Sequence, residues 1–160
     1  MPSSSRRSLA ERLAWRAAHV FWRFSRGMTL GIRAVVRDEA GRVFLVRHTY
    51  ATGWHLPGGG VEPGETLVDA LARELREEGN IELSGPARLF GMYFNGADSR
   101  RDHVAVFVVE HFRQGPPPGH SREIAESGFF ASQALPEATT RATRARLSEI
   151  LDGQPVTERW

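Results

Sequence analysis

Residues 59–81, GGVEPGETLVDALARELREEGNI, set a glycine-rich loop against a helix whose two faces want opposite surroundings. Gly58, Gly59 and Gly60 allow backbone approaches that a Cβ would block. Glu65 and Thr66 stand where side-chain oxygens cap the free N–H groups of a helix start, so a helix is expected over 66–79. At 3.6 residues per turn, Glu74, Glu77 and Glu78 share an arc of about 100°. Leu67, Leu71 and Leu75 fill the adjacent arc and must be buried. Three carboxylates on one face repel unless a positive charge sits among them. A hard divalent cation does this, since magnesium takes oxygen ligands from a few carboxylates and from substrate phosphates. A solvated face would use the same residues, with Arg73 pairing Glu77 at i+4; Arg73 can also reach back to Glu65.

The remaining pattern supplies the surface on which such a helix packs. Leu30, Ile32, Ala34 and Val36 alternate with other residues up to Arg37, as in a strand. A turn at 38–41 leads to a second strand over 42–47, and the two together predict a hairpin. Further strands are expected at 87–95, 103–112 and 123–130, a proline-rich loop at 113–121, and a closing helix at 139–151. Strands interrupted by one helix and closed by another predict an α/β or α+β sandwich of a single domain.

Charge is unevenly spread. All 21 basic residues are arginines, and the net charge is +2. Residues 1–27 carry six arginines against Glu11, whereas the rest is net acidic. The charge balance of the body therefore argues against nucleic acid as its partner. Residues 8–26 read as a basic amphipathic helix with Leu9, Leu13, Val20 and Phe24 on one side. It suits packing on the domain, a homodimer contact, or peripheral contact with a membrane surface. The serine- and arginine-rich start also has the composition of an organelle transit peptide. Without cysteines the chain has no disulfides, thiolate metal sites or cysteine nucleophile. With no span of about eighteen apolar residues either, the expected setting is cytoplasmic.

Loop and helix together resemble the Nudix box, G-x5-E-x7-R-E-U-x-E-E-x-G-U, where U is a bulky aliphatic residue. Gly59, Glu65, Arg73, Glu74, Leu75, Glu77, Glu78 and Ile81 match in register. Asn80 stands where the family has glycine, and asparagine tolerates the left-handed conformation expected there. The segment 54–59 and the region 123–136 are similar to small Nudix proteins as well, so the resemblance covers about residues 29–152.

The resemblance implies an α/β/α sandwich around a mixed sheet at 28–160, with residues 1–27 outside it. It implies hydrolysis of a phosphoanhydride bond in a nucleoside diphosphate linked to another group, with Mg2+ (or Mn2+ as substitute) as cofactor. Glu74, Glu77 and Glu78 would be metal ligands, joined by the carbonyl of Gly58 or Gly59. Glu74 or Glu78 would deprotonate the water, and Glu65 and Arg73 would support the loop–helix geometry. Ligands or bases from outside the box are sought at Glu123 and Glu126, then Glu110 and His103. His55 reads as structural. Trp54, Tyr93 and Phe94 are candidate stacking platforms, and Arg100 and Arg101 candidate phosphate holders. The ADP-ribose subgroup carries a proline about fifteen residues beyond the box; none lies near Gly96, which favours nucleoside triphosphates. A nucleotide-sensing domain without catalysis, and processing of RNA 5′ ends, are the alternative functions.

Overall fold

The computed structural model describes residues 27–116 and 123–160. The helix expected at 8–26 and the middle of the proline-rich loop lie outside them. The described residues form seven strands and two α-helices in the order β1 (Thr29–Val36), β2 (Val43–His48), α1 (Leu67–Gly79), β3 (Ile81–Leu83), β4 (Arg88–Phe94), β5 (Asp102–Val109), β6 (Phe112–Gln114), β7 (Ile124–Phe130) and α2 (Arg141–Leu151). No helix among the described residues is long and apolar enough to cross a membrane.

The central sheet is mixed. β5 lies between β1, which it pairs in parallel, and β4, which it pairs antiparallel. β2 pairs with β7, and β3 with β6, both antiparallel. Alternation along the strands sends side chains into two cores. Ile32, Ala34, Val36, Phe44, Val46, Ala105 and Phe107 meet Ala70, Leu71 and Leu75 of α1. Val35, Val43, Leu45, Val104 and Val106 meet Leu147 of α2 with Trp54, Leu56 and Tyr93. A helix on each face of the strands completes an α/β/α sandwich. Leu71 and Leu75 are fully buried, and truncating either to alanine should cost about 2–5 kcal/mol.

The expected β1–β2 hairpin does not form. Only the bridge between Arg37 and Val43 remains beside the turn. The loop that precedes α1 enters between the two strands and takes their facing edges. The amides of Ile32 and Ala34 donate to the carbonyls of Gly59 (2.8 Å) and Pro57 (2.9 Å), and Val61 N–H donates to Leu30 O. On the other side His55 and Val46 exchange both backbone bonds, at 2.8 and 3.0 Å. The loop is therefore held by backbone ladders on two sides, and the glycines sit at the middle of the molecule. Gly58 has φ of 134°, and a Cβ there would run into the backbone of β1.

Helix α1 is bounded as its sequence predicts. Thr66 accepts the Asp69 amide at 3.1 Å while the Asp69 carboxylate accepts the Thr66 amide, a reciprocal capping box contributing about 1 kcal/mol. Asn80 ends the helix in the left-handed region, φ 49°. Its side chain donates to Pro116 O at 2.8 Å and its carbonyl accepts Gly115 N–H. Asparagine here thus adds a tie to the segment after β6 that glycine could not make.

Candidate active site

The inserted loop and α1 converge on two of the three box carboxylates. Glu78 points inward and is 6% exposed. Its Oε2 accepts the Gly58 amide at 2.7 Å, and its Oε1 lies 3.7 Å from His48 Nε2. Burial pushes its carboxyl up to about 8, against the pull of the Gly58 N–H and of Arg33, with Glu74 and Glu123 adding repulsion. Glu74, one turn earlier, lies against Gly59 so closely that any Cβ there would collide with its carboxylate. Glu77 shares the arc but remains largely exposed, 3.6 Å from Arg73. Helical periodicity put the three on one side, and the overlying loop then gave each a different depth.

Arg73 ties the loop to the helix. Its Nε and Nη2 donate to the two oxygens of Glu65 at 2.8 and 3.0 Å, its Nη1 to Glu74 Oε1 at 2.7 Å, and its Nη2 to the Gly60 carbonyl at 3.0 Å. Glu65 also accepts the Glu62 amide at 3.0 Å. The Arg73 guanidinium and that amide pull the Glu65 carboxyl down to about 2. Glu65 and Arg73 thus link the loop to the helix through side-chain bonds.

The donor chemistry fits a divalent cation. Glu74 and Glu78 offer hard oxygens, and a cation beside Glu78 would offset the burial that raises its carboxyl. Their side chains, with Glu77, do not stand as a converged set of three ligands among the described residues. Glu74 is turned to Arg73 and Glu78 to Gly58. The Gly59 carbonyl accepts the Ile32 amide but keeps a second lone pair, so the carbonyls of Gly58 and Gly59 both remain backbone candidates.

Of the carboxylates and histidine sought outside the box, Glu123 comes to the site. Its carbonyl accepts the Thr49 amide at 2.9 Å, and its charge acts on Glu78, His48 and Tyr50. Glu126 pairs instead with Arg47 at 2.9 Å, Glu110 stands 3.7 Å from Arg37, and His103 packs on Phe94. His55 is structural, its Nε2 meeting Thr52 O at 3.0 Å.

The substrate candidates need correction at Tyr93. It is fully buried, and its hydroxyl donates to Glu149 at 2.8 Å beneath the Arg146 guanidinium. It has no face to offer a base. Trp54 is likewise in the core, edge-on to Phe130. Phe94 lies between His103 and the Arg159 guanidinium. Arg100 and Arg101 sit in the exposed turn between β4 and β5, where the Arg101 carbonyl accepts the Thr29 amide.

Two residues at the site escaped the sequence reading. His48 closes β2, is 7% exposed, and stacks on Tyr50 with ring centroids 5.0 Å apart. Burial, with Arg33 and His55 nearby, pushes its imidazole below the ordinary value. Arg33 lies mid-strand in β1, and its only sequence signal is a charge inside an otherwise apolar run. It lines a recess of about 220 Å³ with Gly59, Gly60, Asn95, Asp98 and Trp160. A larger recess of about 810 Å³ between α2 and the last residues contains no box residue. Proximity to Gly59 makes the smaller one the candidate substrate recess.

Comparison with known proteins agrees with this geometry. The family model described as NUDIX domain matches residues 27–150. A MutT-like protein of Streptomyces ambofaciens is 31% identical over 128 residues, 78% of each chain. An RNA pyrophosphohydrolase of Legionella pneumophila is 35% identical over 72 residues, 42% of this chain; the match spans 41% of that relative's length. The crystal structure of a MutT NUDIX hydrolase from Burkholderia pseudomallei superposes with a TM-score of 0.65 at 29% identity, covering 76% of this chain and 97% of that one. With a family model matching most of its length, the chain belongs to the Nudix family.

Proposed function

We propose that this chain is a magnesium-dependent pyrophosphohydrolase acting on a nucleoside diphosphate linked to another group, with nucleoside triphosphates favoured over nucleotide sugars and ADP-ribose. The observation that carries this reading is the buried Glu78 carboxyl beneath the Gly58 amide, one turn from Glu74. Glu74, Glu78 and the carbonyl of Gly58 or Gly59, with Glu77 at the outer edge, are the groups that would hold the cation. A bound divalent cation neutralises phosphoryl oxygens and orients the attacking water. Glu78, shielded from solvent, is suited to holding a proton near neutral pH and is the candidate base. Arg73 and Glu65 keep the loop pressed on the helix, so that Gly59 and Glu74 stay in register. Glu123 is the candidate additional carboxylate, and Arg100 and Arg101, in the exposed turn between β4 and β5, are candidates to meet a substrate's distal phosphates. Retention of every box carboxylate favours catalysis over nucleotide sensing.

The RNA pyrophosphohydrolase relatives make RNA 5′ ends a second candidate substrate, because their 35% identity lies over 72 residues of this chain. The deciding experiment incubates the protein with nucleoside triphosphates, ADP-ribose, nucleotide sugars, dinucleoside polyphosphates and 5′-triphosphorylated RNA, with and without Mg2+. Metal-dependent release of pyrophosphate or a nucleoside monophosphate from one substrate is the expected result. Glu78→Gln should lower that rate on the order of 10²- to 10⁴-fold. Full turnover by this variant would overturn the assignment.

A further inference from the structure

Among the described residues, the arginines withdrawn from water are, with one exception, tied to acceptors. Arg73 meets Glu65, Glu74 and the Gly60 carbonyl. Arg146 meets Glu149 at 2.6 Å, Thr157 Oγ1 at 2.7 Å and the Arg159 carbonyl at 2.9 Å, which leaves only its Nε unpaired. Arg33 is the exception. Its Nη1 is shielded from solvent and donates to nothing among the described residues. No carboxylate there stands within ion-pair distance of it either.

A guanidinium nitrogen that is shielded from water and unanswered is costly for a fold to keep. Its position says what it is kept for. Arg33 lies on β1, on the strand face opposite Ile32 and Ala34, beside the edge that the inserted loop occupies. It lines the same recess as Gly59 and Gly60. Its charge is felt at Glu78, His48, His55 and Tyr50. The planar fork matches two oxygens of a tetrahedral anion.

We infer that Arg33 is a substrate-binding residue whose guanidinium, on the side that lines the recess beside residues 58–60, takes a phosphate oxygen of the nucleotide. The nucleotide part of this inference rests on the function proposed above; the anion part does not. Arg33 thereby fixes which phosphate stands over the box carboxylates, while the Asn95 and Trp160 wall of the recess is left for the rest of the substrate.

The test uses inorganic phosphate, pyrophosphate and the best hydrolysed nucleotide on the full chain, with Arg33→Met and Arg33→Lys. Phosphate or pyrophosphate should bind the metal-free protein in calorimetry, and Arg33→Met should weaken that binding at least tenfold. With nucleotide, KM should rise about tenfold or more in Arg33→Met while kcat changes less, the signature of a lost binding contact. Arg33→Lys should recover part of the loss. Because Met removes an unanswered charge and keeps the stem, the melting temperature should hold or rise. Unchanged phosphate affinity and KM in a folded Arg33→Met would overturn the inference, as would a wild type that binds neither anion. An Arg33→Met that alters Mg2+ affinity alone would assign the residue to steadying Glu78 and overturn it too. A wild type that binds phosphate through Arg33 yet hydrolyses no nucleotide would leave the anion site standing and refute the proposed activity.

Discussion

Gly59 and the Glu74 carboxylate occupy one another's space: a single methyl group at position 59 would overlap the carboxylate oxygens fifteen residues away. Gly59→Ala must displace either the loop or the carboxylate. A misplacement of about 1 Å costs about 10²-fold in rate, so a loss of that order is expected with the fold retained. Gly60, where a Cβ would meet nothing within 4 Å, is the comparison, and Gly60→Ala should lose far less. Equal losses in steady-state turnover would show that backbone freedom, rather than the Glu74 contact, selects glycine.

Arg73 offers a second test, because its geometry is a fork and not only a charge. Arg73→Lys keeps the charge but cannot reach Glu65, Glu74 and Gly60 O together. Loss of such support should weaken metal affinity or activity by about 10- to 100-fold. A Mg2+ titration of the variant, followed by turnover, reads this directly; wild-type values for both would remove Arg73 from the site's support.

The buried Glu78 makes stability depend on pH in the metal-free protein. Its folded pKa, about 8, lies above the ordinary value of 4.5. The native state therefore holds a proton that the unfolded chain releases. The stabilisation is complete below about pH 4.5 and is lost as pH rises toward 8. With chelator present, the contribution of Glu78 to the melting temperature should fall across that window, and Glu78→Gln should flatten the fall. A wild-type profile superposable on that of the variant would contradict it.

Tyr93 separates structure from substrate binding. Its hydroxyl bonds a Glu149 carboxylate that also accepts from Arg146 and Thr157. Tyr93→Phe should cost about 1–3 kcal/mol of stability, as expected for a hydrogen bond to a charged group, and leave KM unchanged. Chemical denaturation paired with substrate saturation curves distinguishes this from a binding role, in which KM would move and stability would not.

Local chemistry was legible in the sequence wherever neighbours along the chain do the work. The Thr66 cap, the leucine stripe of α1, the shared arc of Glu74, Glu77 and Glu78, and the left-handed turn at Asn80 all depend on residues a few positions apart, and helical geometry relates them without reference to the rest of the fold. The strand alternation likewise announced which side chains point inward. What tertiary structure alone decided was which remote segment lies against each face. The loop at 55–61 displaced β2 from the edge of β1 because its own backbone groups needed partners on both sides. That insertion buried Glu78 and left Glu77 in water, although both carry the same side chain on the same helix. It also brought Arg33 from mid-strand to the recess beside Gly59, and put Tyr93 in the core beneath Arg146. Periodicity fixes the direction in which a side chain leaves its own element; the dielectric, the partner and therefore the chemistry waiting there are set by residues far away in the chain.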